Sequence, residues 1–121
     1  MTPAQHAAIA AFSSATEKIL EQRRTIFEKR RDTLCQALKG LSIDVPVIPQ
    51  GAFYVYADIS KYSNDSFCFC RELLEQQALA ITPGCDFGQN QAKRYVRFAY
   101  TISESRIMQG MERLRSFVND K

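Results

Sequence analysis

Hydrophobic positions along the chain change their period several times, and each change marks an element. Thr2-Pro3-Ala4-Gln5 opens with a capping pattern: an N-cap threonine, proline at the first helical position, and glutamine three residues after the cap. Ala7, Ala8, Ala10 and Ala11 around Ile9 favour helix but leave only a weak apolar stripe, chiefly Ile9 and Phe12. Ser14-Ala15-Thr16-Glu17 repeats the capping pattern and predicts a second helix with Ser14 as its cap. Leu20, Phe27, Leu34, Leu38 and Leu41 recur along it at helical spacing, and Arg24 stands four residues before Glu28 as an oppositely charged pair. Lys39-Gly40-Leu41 predicts its end, with Gly40 in the left-handed cap.

The period then shortens to two. Val45 to Ile48, between Pro46 and Pro49, can be no more than an edge piece. Ala52 to Ile59 alternates, with Phe53, Val55, Ala57 and Ile59 on one face and Ala52, Tyr54, Tyr56 and Asp58 on the other. Asn64 or Asp65 caps a helix running to about Gln77, whose buried face is read as Phe67, Cys70, Leu73 and Leu74. Leu79 to Thr82 reads as a short strand. Pro83 to Gly88 is a tight loop with two glycines, and Gln89 to Arg94 a polar, mobile connection. Tyr95 to Ile102 alternates again: Val96, Phe98, Tyr100 and Ile102 oppose Tyr95, Arg97, Ala99 and Thr101. Ser103 caps a last helix lined by Ile107, Met111, Leu114 and Val118. The order helix, helix, strand, helix, strand, strand, helix predicts an α+β fold of two layers. Helices pack on one face of a small, mainly antiparallel or mixed sheet, and a long helix lies at the N-terminal end.

Composition narrows the function classes. The 121 residues are 45% hydrophobic and 24% charged, a globular balance. No run approaches a membrane span, and no basic segment followed by an apolar core opens the chain. The net charge of +3 is too small to imply a nucleic-acid partner, and acids interleave the basic run Lys29-Arg30-Arg31, as on a solvated helix face. Cys35, Cys68, Cys70 and Cys85 form no C-x-x-C pair, and His6 is the one histidine, so no metal site is expected. Reduced cysteines suit a cytoplasmic protein.

The candidate chemistry lies on the second face of the two long strands, where Tyr54, Tyr56, Tyr95 and Arg97 gather. That face is too aromatic for plain solvent surface and too polar for a core. Arg97 either is solvated there or grips an anion, since its planar guanidinium matches a carboxylate or phosphate.

Three motifs carry a family resemblance: Pro49-Gln50-Gly51-Ala52-Phe53-Tyr54, Pro83-Gly84-Cys85-Asp86-Phe87-Gly88 and Tyr95-Val96-Arg97-Phe98-Ala99-Tyr100. With Arg30-Arg31-Asp32-Thr33-Leu34, they make the sequence resemble the C-terminal small domain of class I/II, fold-type I aminotransferases dependent on pyridoxal phosphate, toward the aspartate and aromatic branch. The resemblance implies a division of 1–121 into a junction helix (1–13), a long domain-connecting helix (14–40) and a sheet-and-helix body (45–121). It implies amino transfer between an amino acid and a 2-oxo acid, with Arg97 on the substrate α-carboxylate and Tyr54 and the Pro83–Gly88 loop as walls of the site. It also implies a homodimer and an N-terminal large domain that holds the pyridoxal phosphate. The family's cofactor-binding lysine motif has no counterpart here, so no catalytic or cofactor-binding residue is expected in this chain. It reads as a fragment, inactive alone, with Met1 an artificial start or that of a truncated gene. The alternative is a stand-alone, non-catalytic interaction module derived from the same domain.

Overall fold

A computed structural model describes residues 1–121. Helix α1 (Pro3–Ala11) begins as its capping box dictates, with Thr2 and Gln5 exchanging side-chain and backbone bonds. None of its residues is buried. Helix α2 (Ser14–Gly40) is capped by Ser13, whose hydroxyl accepts from the Thr16 N–H, and not by Ser14. Its charges also pair differently from the sequence reading: Arg24 binds Glu21 at 2.6 Å, and Glu28 faces Arg31. The left-handed residue after α2 is Ser42, with φ 58°, rather than Gly40. The Ile43 N–H reaches the Leu38 carbonyl and the Ser42 N–H that of Lys39, which is the double closure of a Schellman motif. The cap lies two residues late because this closure puts Ile43 against Leu38, both buried.

Strands β1 (Tyr54–Asp58), β2 (Thr82–Pro83) and β3 (Tyr95–Ala99) form one antiparallel sheet in the order β1-β3-β2. They are shorter than the alternating stretches that announce them. Residues 45–48 form no strand, and the bridge to the sheet lies just before them, from Asp44 to Asp58. Helix α3 (Ser66–Gln77) is capped by Asp65, whose carboxylate accepts from the Phe67 and Cys68 N–H groups. Helix α4 (Glu104–Asn119) follows Ser103 and buries Phe117 as well as the four residues its spacing predicts.

One core unites the layers. Val55, Ala57, Ile59, Val96 and Phe98 present the inner face of the sheet to Leu34 and Leu38 of α2, Phe69 and Leu73 of α3, and Ile107, Met111, Leu114 and Phe117 of α4. The inward face of α3 differs from expectation: Ser66, Phe69, Cys70 and Leu73 are buried, while Phe67 and Leu74 are exposed. Both stripes are apolar, and a polar bond selects between them, since the buried Ser66 hydroxyl donates to the Ala92 carbonyl at 2.8 Å.

That bond also alters the reading of 89–94. Ala92–Arg94 is a 3-10 turn with Ala92 buried. Arg94 is held from two sides, its carbonyl accepting from the Ile59 N–H at 2.8 Å and its guanidinium reaching Asp58 at 2.6 Å. Burial pushes the Asp58 carboxyl up, but bonds from Ser60 and Arg94 outweigh it and leave the group below the usual carboxylate range. The four cysteines are unpaired. Burial, with Cys85 and Asp86 nearby, pushes the Cys70 thiol up to about 12, so it remains a protonated core residue.

Candidate functional site

No helix covers the outer face of the sheet. β3 is the central strand, and Arg97 in its middle lies opposite Tyr56 on one side and Thr82 on the other. Tyr54 is one pair further along β1, opposite Ala99. Alternation therefore brings Tyr54, Tyr56, Tyr95 and Arg97 to one surface, as the sequence predicts.

The aromatic rings are ordered about one another. Tyr56 and Tyr95 stack with centroids 4.9 Å apart and planes at 13°. Phe87 meets Tyr56 edge-on at 6.4 Å. Burial and the neighbouring Tyr95 and Cys85 raise the Tyr56 phenol above its ordinary value, so it stays neutral at physiological pH. The guanidinium carbon of Arg97 lies 4.7 Å from the Phe87 centroid and 5.4 Å from that of Tyr54. Both distances are in the range of cation–π attraction.

Arg97 has no acidic partner among the chain's ion pairs. Its Nε is buried and meets no acceptor. A half-buried cation with an orphan N–H is costly unless something binds it. The cleft beside it has a volume of about 490 Å³ and is lined by Tyr54, Tyr56, Phe87, Gly88, Gln89, Asn90 and Arg97. It contains one positive charge, no negative charge, and apolar walls with neutral amides at the rim. Such a site can take a small carboxylate whose remainder is flat or apolar.

The two site residues read from the sequence, Arg97 and Tyr54, come together here. Of the loop Pro83–Gly88, only Phe87 and Gly88 reach the cleft. Gly84 has another role: a Cβ on it would lie 2.5 Å from the Ala92 carbonyl oxygen and 2.6 Å from the Tyr56 hydroxyl. Gln89 and Asn90 were not singled out by sequence reasoning, and Phe87 only as part of the Pro83–Gly88 loop that the resemblance makes a wall. The available signal for Phe87 was a large apolar side chain in a loop between two glycines, with no periodic pattern to bury it.

The sequence model of the family described as aminotransferase class I and II matches residues 1–114. The chain belongs to that family. Among its relatives, the (5-formylfuran-3-yl)methyl phosphate transaminase of Methanocaldococcus jannaschii is 33% identical over 98% of this chain and 30% of its own length. The valine–pyruvate aminotransferase of Mycobacterium tuberculosis is 32% identical over 94% and 29%. A solved aminotransferase from Mycobacterium tuberculosis superposes with a TM-score of 0.89 at 31% identity, covering 95% of this chain and 30% of that one. A variant of the Thermus thermophilus aspartate aminotransferase gives 0.82 at 34% identity, covering 92% and 30%. This class I/II aminotransferase chain thus spans about 30% of the length of the curated relatives it matches, and it fits the C-terminal part of a fold-type I enzyme.

Family members work through pyridoxal phosphate. The residues present here do not fit its covalent attachment: Lys18, Lys29, Lys39, Lys61, Lys93 and Lys121 are all exposed, and none lines the cleft. An amine with the depressed pKa such attachment needs is made by burial or a neighbouring charge in the site.

Proposed function

We propose that this chain is the part of an aminotransferase that grips the α-carboxylate of an amino-acid or 2-oxo-acid substrate, with Arg97 as ligand and Tyr54 as wall. The observation that carries the reading is the unneutralised Arg97 guanidinium, flanked by two rings at the edge of an open cleft. A bidentate guanidinium–carboxylate pair fixes the orientation as well as the charge of the substrate. Orientation is what amino transfer requires, since the breaking Cα–H bond has to stand across the ring system that withdraws its electrons. Pyridoxal phosphate supplies that electron sink when bound. Holding it falls to a large domain outside these residues, so the chain alone transfers no amino group and forms no specific adduct. Borohydride reduction after incubation with pyridoxal phosphate, followed by mapping, tests this; stoichiometric labelling of one lysine together with turnover would overturn it.

The likeness to the Thermus thermophilus aspartate enzyme supports a place in the aspartate and aromatic branch. Homodimerisation follows from the same family reading. Four unpaired cysteines suit a cytoplasmic location. The decisive experiment is Arg97→Lys in the intact enzyme. Lysine keeps the charge and loses the fork, and kcat/KM is expected to fall by on the order of 2–4 kcal/mol of transition-state binding. An unchanged kcat/KM means that another group holds the carboxylate.

A further inference from the structure

We infer that Phe87 is a positioning residue for Arg97, holding the guanidinium as a flat, unneutralised fork; the inference rests on the reading of Arg97 as the carboxylate ligand. A guanidinium meant for an incoming carboxylate cannot be oriented by a carboxylate of its own chain, which would compete for the same N–H groups. Arg97 follows that constraint. It has no ion pair, and its Nε makes no hydrogen bond. The groups found against it are aromatic rings. Stacking on a ring holds the guanidinium plane without using its donors.

The two rings do not act alike. Tyr54 belongs to β1 and is fixed by the strand ladder. Phe87 approaches from the opposite edge of the sheet, on the residue that ends the 3-10 turn Gly84–Asp86, and it is the nearer ring. Its N–H donates to the Gly84 carbonyl at 3.0 Å. Gly84 is itself wedged against Ala92, Tyr95 and the Tyr56 hydroxyl. The Phe87 ring is braced edge-on by Tyr56, which is braced in turn by Tyr95. Tyr56 and Tyr95 therefore support Phe87, and Phe87 supports Arg97. Yet half of the Phe87 surface is exposed, so the core does not require the ring where it stands.

The test is made in the intact enzyme with two non-reacting probes of one shape, phenylacetate and its neutral isostere phenylacetamide. Loss of Phe87 as an organiser of charge weakens the carboxylate and spares the amide, whereas loss of a mere wall weakens both. Phe87→Ala is expected to weaken phenylacetate roughly tenfold and phenylacetamide by less than about twofold, and to raise substrate KM with kcat little changed. Phe87→Tyr, which restores the ring face, is expected to recover both. Phe87→Leu keeps bulk without a π face and falls between. Equal weakening of the two probes, unaltered phenylacetate binding by Phe87→Ala, or no rescue by Phe87→Tyr overturns the proposal. Arg97→Lys is run alongside. If it weakens phenylacetate while Phe87→Ala does not, only the positioning role falls; if phenylacetate binding survives it, the carboxylate reading of Arg97 falls first.

Discussion

Val55 and Tyr56 are adjacent in the chain, as are Val96 and Arg97, yet each pair divides between two kinds of surface. Inward, Val55, Ala57 and Val96 are completely buried beneath three helices. Outward, Tyr54 is 39% exposed and Arg97 is left with an unused N–H beside an open cleft. The same strands thus provide adhesion on one face and recognition on the other. A slip of one residue in register would exchange the two sets, so the core that stabilises the sheet also fixes which side Arg97 occupies.

The sharpest way to test this division is to mutate across it. Leu38→Ala, on the covered side, should lower unfolding stability by about 2–5 kcal/mol, because it leaves a void between α2 and the sheet. Tyr54→Ala, on the open side, should change it by no more than about 1 kcal/mol. Denaturant unfolding compares them, and equal losses would mean that the outer face also holds the fold together. Gly84→Ala tests where the faces meet. Its new Cβ would strike two main-chain carbonyls as well as the Tyr56 hydroxyl, so a loss of about 1–3 kcal/mol is expected together with weakened carboxylate binding. Loss of one without the other would disconnect the turn from the cleft. Arg97→Met probes the open face from the opposite direction. Removing a half-buried, unpartnered donor should leave stability unchanged or raise it by up to ~1 kcal/mol while carboxylate binding disappears. A clear destabilisation would show that Arg97 serves the fold.

The smallest effect concerns pH. The folded-state pKa of Asp58 lies below its unfolded value, so the stability it contributes is complete above the ordinary carboxylate pKa of about 4 and is lost as pH falls through the folded value. Asp58→Asn should flatten the acid limb of a stability–pH curve and leave the neutral region otherwise alike in slope. An unchanged acid limb would mean that Asp58 and Arg94 pair no more closely folded than unfolded.

The division between faces was legible in the sequence because a period of two assigns each strand residue to a side without knowledge of its neighbours. That is why Tyr54, Tyr56, Tyr95 and Arg97 could be placed on one face, from which the family resemblance singled out Arg97 and Tyr54, and why the inner residues of β1 and β3 could be predicted. Helix α3 was less legible: Phe67 and Leu74 offer as plausible a stripe as Phe69 and Leu73, and the deciding bond from Ser66 to Ala92 joins residues far apart in the chain. The α2 boundaries slipped for local reasons. Ser13 and Ser14 are equally able caps, and the closure onto Leu38 places Ser42 in a conformation more often given to glycine. Phe87 had no periodic signal, since its role depends on a turn packed beneath Tyr56.

Helix α2 carries a mechanical consequence. Its buried residues are Leu34 and Leu38, near its end, while α1 and the first part of α2 bury none. At 1.5 Å per residue, roughly 30 Å of rod separates Ser14 from Leu34. A tilt of about ten degrees at that anchorage would move α1 by roughly 5 Å. Near the same anchorage, Arg31 donates to the Pro49 carbonyl at 3.0 Å, in the segment leading into β1 and Tyr54. A rod fastened in this way would act as a lever, turning displacements of a few tenths of an ångström in the segment that leads into β1 into displacements of ångströms at its far end.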